Sequence, residues 1–405
     1  MSSKYDALVA REKKVLFQTY GRYPLAFEKA QGARLTDLDG KEYVDLLAGI
    51  AVANLGHSNP ELLAVMAEQA KELLHISNLF YQPRQVELAE LLLTTCACDR
   101  VFFCNSGAEA NEAAIKLARR YMRTVRYKDA GEIITLSGSF HGRTLATLTA
   151  TGQGGRIKEG FEPLPADFTT VPFGDIEALR AAVTQKTAAV LMEMVQGEGG
   201  VLPLPEAYVQ EAAEICREAG CLFMVDEVQT GMCRTGKFWA HQHYGVEPDV
   251  FTTSKALANG LPMGAMLAKE YVSKGFVPGS HATTFGGGGV VSAVAAKVVQ
   301  IMKRDDIAGR ARDLGQLAVE AFRKVAAKHP QRISGVRGLG LMIGIVLSGP
   351  GAEIHAALRE RGFVCNLAHG TVLRLLPPLT IGAEDLLAFA AALDDILSTD
   401  KQNAS

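Results

Sequence analysis

Short apolar runs alternate with amphipathic segments through the middle of the chain, between about residues 60 and 300. Apolar runs without alternation are typical of strands buried on both faces, and intervening helices are typical of parallel connections. In the segment 206–219, Val209, Ala213 and Cys216 share one helical face, and Gly220 follows as a C-terminal cap. The pattern predicts an α/β domain with a mostly parallel sheet. Its strands include Val101–Cys104, Ile133–Leu136, Ala188–Met192, Cys221–Val225 and Val250–Thr253.

Both ends of the chain have a different pattern. Leu35–Val44 alternates around Asp39 and Gly40, which predicts a β-hairpin, and a long charged helix should follow residue 305 and end near Pro330. We therefore predict a large domain at 61–304 and a small α+β domain formed by 1–60 and 305–405. The last segment should contain a strand at Leu339–Leu347, a helix at Ala352–Arg361, a strand at Val372–Leu376 and a helix at Ala383–Leu397.

Composition excludes several classes of protein. The 42 lysines and arginines nearly balance the 44 aspartates and glutamates, giving a net charge of −2, so no basic face favours nucleic acid or an anionic membrane. No apolar run reaches the ~18 residues that span a bilayer, and the N-terminal residues lack a signal-peptide core. Seven cysteines without paired spacing indicate reduced thiols. We expect a cytoplasmic protein without a metal site.

Candidate chemistry lies where predicted strands end, because ligands of open α/β sheets gather at the carboxyl ends of strands. Ser106 and Glu109 fit a capping box, which is usually structural, although the free N–H groups of a helix start also bind phosphate. Asp226 alone could simply cap a turn. Lys255 follows a buried strand, where desolvation lowers the pKa of an amine and makes it a nucleophile. Together the helix start at Ser106, the acid Asp226 and Lys255, each at the end of a strand, predict a catalytic site.

Eight short motifs follow one another along the chain: Asn105–Glu112, Ser139–Arg143, Glu193–Gly200, Val225–Gly231, Ser254–Lys255, His281–Gly287, Val336–Met342 and Leu373–Leu379. In sequence and order these motifs resemble the class III aminotransferases, which depend on pyridoxal 5′-phosphate. The resemblance covers nearly the whole chain and implies fold type I of the pyridoxal-phosphate enzymes, with a large and a small domain.

The resemblance implies a role for each matching residue around the cofactor. Lys255 would carry the cofactor covalently and later move the proton of the substrate carbon, while Asp226 would keep the pyridine nitrogen protonated. His141 would be a structural neighbour of the cofactor. The other expected contacts are Phe140 and Val228 on the two ring faces, Gln229 at the phenolic oxygen, and Ser106, Gly107 and Ala108 at the phosphate.

Two arginines resemble those that bind substrate carboxylates, a task for which the planar guanidinium is suited. Arg143 would bind the carboxylate far from the reacting amine, and Arg374 the α-carboxylate of glutamate and 2-oxoglutarate. Glu198 would act as a gate that pairs with Arg374 while the other amino donor is bound. Tyr20 and Thr283 would lie beside the substrate.

The resemblance also implies a homodimer with shared active sites. Thr284 would reach the phosphate of the partner subunit's cofactor. The four glycines of Gly286–Gly289 depart from the family pattern, so we expect them to loosen the segment that carries Thr284. Met194 also stands where the family usually has proline.

Within the class, His75–Phe80 and Gly49–Val52 resemble the branch that moves the δ-amino group of N2-acetylornithine to 2-oxoglutarate in arginine biosynthesis. N-Succinyl-diaminopimelate or succinylornithine would also be substrates. Free ornithine is a rival donor, although that branch typically has tyrosine where this chain has Ile50. Further alternatives are a 4-aminobutyrate aminotransferase, an aminomutase, which would not need the Glu198 gate, and a regulator that merely binds the cofactor.

Overall fold

The computed structural model describes the chain from residue 3 to residue 403. The elements of its first part are α1 (Ser3–Val15), β1 (Phe27–Gln31), β2 (Arg34–Asp37), β3 (Glu42–Asp45), α2 (Ala48–Ala51), α3 (Pro60–Glu72) and α4 (Pro83–Leu93). The predicted hairpin is present, because β2 and β3 pair antiparallel with Leu35 opposite Tyr43.

A seven-stranded sheet forms the middle of the molecule; four of the five predicted strands are adjacent and parallel in it, and the fifth, predicted at Val101–Cys104, lies at one edge. Its elements are β4 (Arg100–Cys104), α5 (Gly107–Thr124), β5 (Glu132–Leu136), α6 (Leu145–Ala150), β6 (Phe168–Val171), α7 (Ile176–Ala182), β7 (Thr187–Met192), β8 (Val195–Gln196), β9 (Leu202–Pro203), α8 (Glu206–Ala219), β10 (Leu222–Asp226), β11 (Val250–Thr253), β12 (Gly264–Ala268), α9 (Glu270–Ser273) and α10 (Gly289–Arg304). The strand order is β4-β12-β11-β10-β7-β5-β6, and only β12 runs antiparallel; β8 and β9 form a separate hairpin.

All five predicted strands of this sheet are present, and every residue of β7, β10 and β11 is buried. Helices on the faces of the sheet explain this burial, as expected for uninterrupted apolar runs. The predicted helix 206–219 is also confirmed as α8, with Gly220 as a left-handed cap at φ +67°.

The C-terminal part confirms the long helix but corrects one strand. The elements are α11 (Ile307–Lys328), β13 (Ile333–Leu339), β14 (Met342–Leu347), α12 (Ala352–Glu360), β15 (Phe363–Val364), β16 (Asn366–Ala368), β17 (Val372–Leu375) and α13 (Ala383–Asn403). The strand predicted at Leu339–Leu347 begins late, because Gly340, at φ +52°, and Leu341 form a turn. Strand β13 was missed because Gly335 and Gly338 give it low strand propensity.

Two small sheets lie outside the central one, and both ends of the chain contribute to them. One has the order β1-β2-β3-β15, in which C-terminal β15 pairs parallel with β3. The other has the order β13-β14-β17-β16 and is formed by the C-terminal segment alone. On this basis we propose the division into a small domain from 1–60 and 305–405 and a large domain at 61–304.

Disulfides, membrane-spanning helices and clusters of metal ligands are absent from the part of the chain that the structure describes. All seven cysteines lie within residues 3–403, and all are unpaired. Within the same range no helix is long and apolar enough to cross a bilayer, and no group of three or more His, Cys, Asp or Glu residues could hold a metal ion.

A fully buried arginine ties the N-terminal, middle and C-terminal segments together. Arg234 donates from Nη1 to the carbonyls of Leu341 and Pro377, at 3.0 and 2.7 Å, and from Nη2 to Oδ1 of Asn54. Asn54 in turn donates to the carbonyl of Met232 at 3.0 Å. Three segments therefore meet on one guanidinium.

Arg234→Ala should lower the free energy of unfolding by at least about 3 kcal/mol, because it leaves several buried acceptors without donors. Urea unfolding followed by circular dichroism measures this. Arg217→Ala is the matched control, since Arg217 is exposed and pairs with Glu214, and this variant should leave the free energy of unfolding almost unchanged. Equal costs for the two variants would contradict the role of Arg234.

Candidate active site

A cavity of about 250 Å³ opens at the carboxyl ends of the central strands. It brings together nine of the residues predicted from the sequence: Gly107, Ala108, Phe140, Arg143, Glu198, Asp226, Val228, Gln229 and Lys255. Five further lining residues were not assigned a catalytic or binding role from the sequence: Asn111, His141, Gly142, Glu193 and Ser254.

Asp226 is the last residue of β10 and lies in the interior with three donors around its carboxylate. Oδ2 accepts from Nδ2 of Asn111 at 2.7 Å and from Nδ1 of His141 at 2.8 Å, and Oδ1 accepts from the Val228 amide at 2.9 Å. Thr252 donates to Oδ1 of Asn111 and so fixes the orientation of that amide. These donors satisfy the hydrogen-bonding capacity of a buried carboxylate and hold it at the cavity.

Lys255 is the second residue after β11 and begins a short 3₁₀ helix, Lys255–Ala258. Its backbone has φ +41°, a left-handed conformation that costs energy for a residue with a side chain. Burial lowers the pKa of the Lys255 amine to about 8, while Glu198 opposes that shift and Arg374 adds to it. Near neutral pH this amine therefore has a substantial neutral, nucleophilic fraction.

The start of α5 forms another wall of the cavity. Oγ of Ser106 caps the helix by accepting from the Glu109 amide at 3.1 Å. The predicted capping box is only half present, because the Glu109 carboxylate accepts from the amide and side chain of Asn105 instead of the Ser106 amide. Gly107 packs so closely on Val228 that a Cβ would lie 2.7 Å from Cγ1. The first-turn N–H groups of such a helix favour an anion.

Glu193 connects two walls of the site, a role that sequence reasoning missed. Its buried carboxylate accepts from the Phe140 amide at 2.9 Å and from the Gly197 amide at 3.3 Å. Burial raises the pKa of Glu193 to about 7, with His141 opposing the shift. The sequence marked Glu193 only as a motif position, because the contact with Phe140 joins residues that are far apart along the chain.

Glu198 and Arg374 form an ion pair between the β8–β9 hairpin and β17, with Nη1 to Oε1 at 2.6 Å. Arg374 is fully buried, and its Nε also donates to Oδ1 of Asn366 at 3.1 Å. Burial alone would raise the pKa of Glu198, but pairing with Arg374 outweighs it and leaves that pKa below its usual value. Arg143 lies on a different wall, with its guanidinium 5.5 Å from the ring centre of Phe140.

Five predicted site residues do not line the cavity of the single chain: Tyr20, Ser106, Thr283, Thr284 and Arg374, the last of which pairs with the lining residue Glu198. Tyr20 is 73% exposed and lies beside Arg22. Thr283 accepts at Oγ1 from Nδ2 of Asn105, at 3.1 Å, and Thr284 is exposed. Ser106 caps α5 at the cavity edge but is not among the lining residues.

The expected looseness of the four-glycine segment is not found. A Cβ at Gly286 would lie 2.4 Å from the carbonyl oxygen of Phe103, and one at Gly289 would lie 3.0 Å from that of Leu73. Asn78 donates to the carbonyls of Thr283 and Gly286 as well. Because these glycines have no side chains, their backbone packs closely against neighbouring segments. The expectation that they loosen the segment carrying Thr284 was therefore wrong.

The comparisons with known proteins agree with this site. Residues 17–397 match the family model of the class III aminotransferases. The chain belongs to the class III aminotransferases, and its reaction is the transfer of an amino group.

The similar proteins include two acetylornithine aminotransferases. That of Methanocaldococcus jannaschii is 43% identical over 96% of this chain and 98% of its own length, and that of Gloeobacter violaceus is 46% identical over 95% and 96%. Among solved structures, the ornithine aminotransferase of Toxoplasma gondii ME49 has a TM-score of 0.95 at 29% identity, covering 100% of this chain and 97% of that one. The acetylornithine aminotransferase of Elizabethkingia anophelis has a TM-score of 0.87 at 30% identity, covering 98% and 99%.

The cavity residues fit pyridoxal 5′-phosphate, the cofactor that this family implies. A second Toxoplasma gondii structure, with a TM-score of 0.95, 29% identity and coverage of 99% of this chain and 96% of that one, is described as having partial occupancy of this cofactor at its active site. Here Lys255 offers a buried amine, Asp226 a buried carboxylate, and α5 a helix start. Among the described residues, the buried Oε1 of Gln229 has no hydrogen-bond partner and is free for a ligand.

Labelling of the cofactor-free protein should show that Lys255 titrates near pH 8. Its reaction with acetic anhydride should rise as the pH passes through that value, because only the neutral amine reacts, whereas ordinary lysines titrate near ~10.4. Peptide mass spectrometry measures all lysines together, and exposed Lys186 is an internal control. Glu198→Gln should lower the midpoint for Lys255, since Glu198 stabilises the charged form. A midpoint near ~10.4 would contradict the assignment.

Proposed function

We propose that the protein is an acetylornithine aminotransferase that uses pyridoxal 5′-phosphate. It would convert N2-acetylornithine and 2-oxoglutarate to N-acetylglutamate 5-semialdehyde and glutamate, a step of arginine biosynthesis. The observation that carries the proposal is the ion pair of buried Arg374 with partly exposed Glu198 at the Lys255 cavity, with Arg143 on another wall. The unpaired cysteines support a reducing compartment, the cytoplasm.

The cofactor, when bound, supplies an aldehyde that reacts with amines and a pyridine ring that withdraws electrons from the substrate carbon. In the proposed site Asp226 holds a proton at the pyridine nitrogen, since Asn111 and His141 keep its carboxylate ionised and oriented. Lys255 carries the cofactor and, once released, accepts and returns the proton of the substrate carbon. The remaining contacts are Phe140 and Val228 at the ring, Gln229 at the phenolic oxygen, and Ser106, Gly107 and Ala108 at the phosphate.

The two substrates place their carboxylates differently relative to the reacting amine. Acetylornithine reacts at its δ-amine and has no carboxylate next to that carbon, whereas glutamate reacts beside its α-carboxylate. With Glu198 on Arg374 the guanidinium is neutralised, which suits acetylornithine; with Glu198 withdrawn, Arg374 is free for glutamate. Arg143 would bind the distant carboxylate of either substrate, and Thr283 and Tyr20 would lie beside it.

Ornithine is the second candidate donor, supported by the similarity to ornithine aminotransferase structures. Ile50 argues against it, because this side chain packs with Leu47 against the buried cluster of Val195 and Val201. An apolar residue at this position offers no hydrogen bond to the free α-amine or α-carboxylate of ornithine. An aminomutase would exchange no second substrate and so would have no use for the pair of Glu198 and Arg374.

We also propose that the enzyme is a homodimer in which Thr284 contributes to the site of the partner subunit. Asn78 ties its segment to Thr283 and Gly286, so residues near 78–81 and 283–286 form one surface. Tyr81 on this surface is 101% exposed and Phe285 is 66% exposed. Large exposed apolar side chains of this kind favour a second copy of the chain.

A substrate panel tests the proposed reaction. We expect acetylornithine or another N2-acylated diamine to have the highest kcat/KM with 2-oxoglutarate, ahead of ornithine and 4-aminobutyrate. The panel should also include succinylornithine and N-succinyl-diaminopimelate. Lys255→Ala should abolish turnover and the visible absorption of bound cofactor while circular dichroism stays unchanged. A higher kcat/KM for ornithine or 4-aminobutyrate would overturn the substrate assignment.

Complementation tests the shared site. The Thr284→Asp homodimer should lose activity, because the new carboxylate repels the partner's phosphate, and the Lys255→Ala homodimer lacks its nucleophile. Heterodimers of the two chains should recover up to about half of the wild-type activity, since one of their two sites takes Lys255 from one chain and Thr284 from the other.

Two differently tagged copies of Lys255→Ala, purified as a pair, are the control and should stay inactive. Inactive mixed heterodimers, with both chains folded and co-purifying, would show that Thr284 does not serve the partner's site.

A further inference from the structure

The segment Gly197–Gly200, here called the gate segment, is held by three side chains of one small sheet and its turn. Arg374 of β17 binds the Glu198 carboxylate. Arg337 of β13 donates to the Gly200 carbonyl from Nε at 3.1 Å and from Nη2 at 2.8 Å. His369, between β16 and β17, contacts the Glu198 carbonyl through Nε2 at 2.5 Å. Arg337 and His369 therefore hold the backbone of the gate segment, and Arg374 holds the side chain of Glu198.

His369 occupies an unfavourable position in its turn. It has φ +50° and is followed by Gly370 at φ +72°, and the Thr371 amide donates to the Ala368 carbonyl. Positive φ at both central residues is typical of a type I′ turn, which favours Asn-Gly or Gly-Gly. His369 is also exposed, so packing in the interior does not explain a histidine at this position. The contact of its side chain with the Glu198 carbonyl does explain it.

The chemistry of this contact is unambiguous. A backbone carbonyl only accepts, so Nε2 of His369 must carry the proton and donate. The contact reaches the same residue whose carboxylate faces Arg374. It therefore fixes the backbone of Glu198 without competing for its side chain.

We propose that His369 is a positioning residue for the gate: its Nε2–H anchors the Glu198 carbonyl, so that the gate opens by rotation of the Glu198 side chain about a fixed backbone. The proposal rests on the proposed function of Glu198 and Arg374. It assigns to the small sheet the task of keeping the carboxylate within reach of Arg374 each time acetylornithine binds.

Two substitutions separate this role from that of the turn. His369→Asn suits the type I′ turn better, so the melting temperature should stay the same or rise, but its short side chain cannot reach Glu198. His369→Gln is less suited to the turn, yet its Nε2 amide can occupy the place of the imidazole donor. A merely structural role predicts that the asparagine variant is the better enzyme, and our proposal predicts the opposite.

The measurement is single-turnover kinetics of each half-reaction. His369→Asn should shift the ratio of the two kcat/KM values towards glutamate by about three- to tenfold, the effect of losing one hydrogen bond. The shift should lie mainly in the KM for acetylornithine, and His369→Gln should stay within about twofold of wild type. Glu198→Gln, measured in parallel, should shift the ratio further. An unchanged ratio in His369→Asn, or equal shifts in both His369 variants, would overturn the proposal.

Hydrogen exchange gives an independent reading without turnover. The peptide covering Gly197–Val201 should exchange faster in His369→Asn than in wild type or His369→Gln. If wild type fails to react with acetylornithine, the proposed function fails, but exchange still decides whether His369 holds the gate segment. If Glu198→Gln shifts the ratio and neither kinetics nor exchange responds to His369→Asn, the positioning role alone is wrong.

Discussion

The burial of one carboxylate at the end of β10 sets much of the geometry of this protein. An ionised aspartate in an apolar interior is costly unless donors surround it, and Asp226 receives them from α5, from the segment before α6 and from its own turn. Asn111 and His141 must therefore lie within hydrogen-bond distance of the strand end. That requirement fixes how α5 and the Phe140–Arg143 segment pack, and the neighbouring strands β7 and β11 keep the strand itself rigid.

Charge pairing links the gate to the nucleophile. Burial lowers the pKa of Lys255, while Glu198 raises it and Arg374 lowers it, so the two members of the ion pair act on the amine in opposite directions. A substrate carboxylate that replaces Glu198 on Arg374 again pairs this guanidinium with a negative charge. The proposed exchange of partners on Arg374 thus changes substrate preference without leaving an uncompensated buried charge, which would cost several kcal/mol.

Features that depend on local sequence pattern, such as the positions of the strands and the residues at their ends, could be predicted from the sequence. The apolar runs located the strands, and residues at their ends, such as Asp226 and Lys255, form the cavity. The sequence did not predict which partner some side chains bind. Glu193 joins Phe140, which is distant in the sequence, to nearby Gly197, and Glu109 accepts from Asn105 instead of completing the predicted capping box. Tyr20 and Thr284 stay predictions, because a shared site needs a second chain. The prediction of a loose segment at Gly286–Gly289 failed because glycine permits both flexible backbone and very close packing.

The location of Arg374 explains why both ends of the chain matter to a site formed mostly by its middle. Arg374 lies on β17, a strand buried in the small sheet, and its guanidinium is held by Asn366 before any substrate binds. Arg234 joins that part of the fold to the middle segment through Leu341 and Pro377. A pre-oriented guanidinium loses little further conformational entropy on binding, so discrimination between substrates falls to Glu198, the more exposed partner. A gate of this kind needs a fixed backbone. If the backbone of Glu198 were mobile, its carboxylate would leave Arg374 even when no substrate carboxylate competed for the guanidinium, and the gate would not discriminate between substrates.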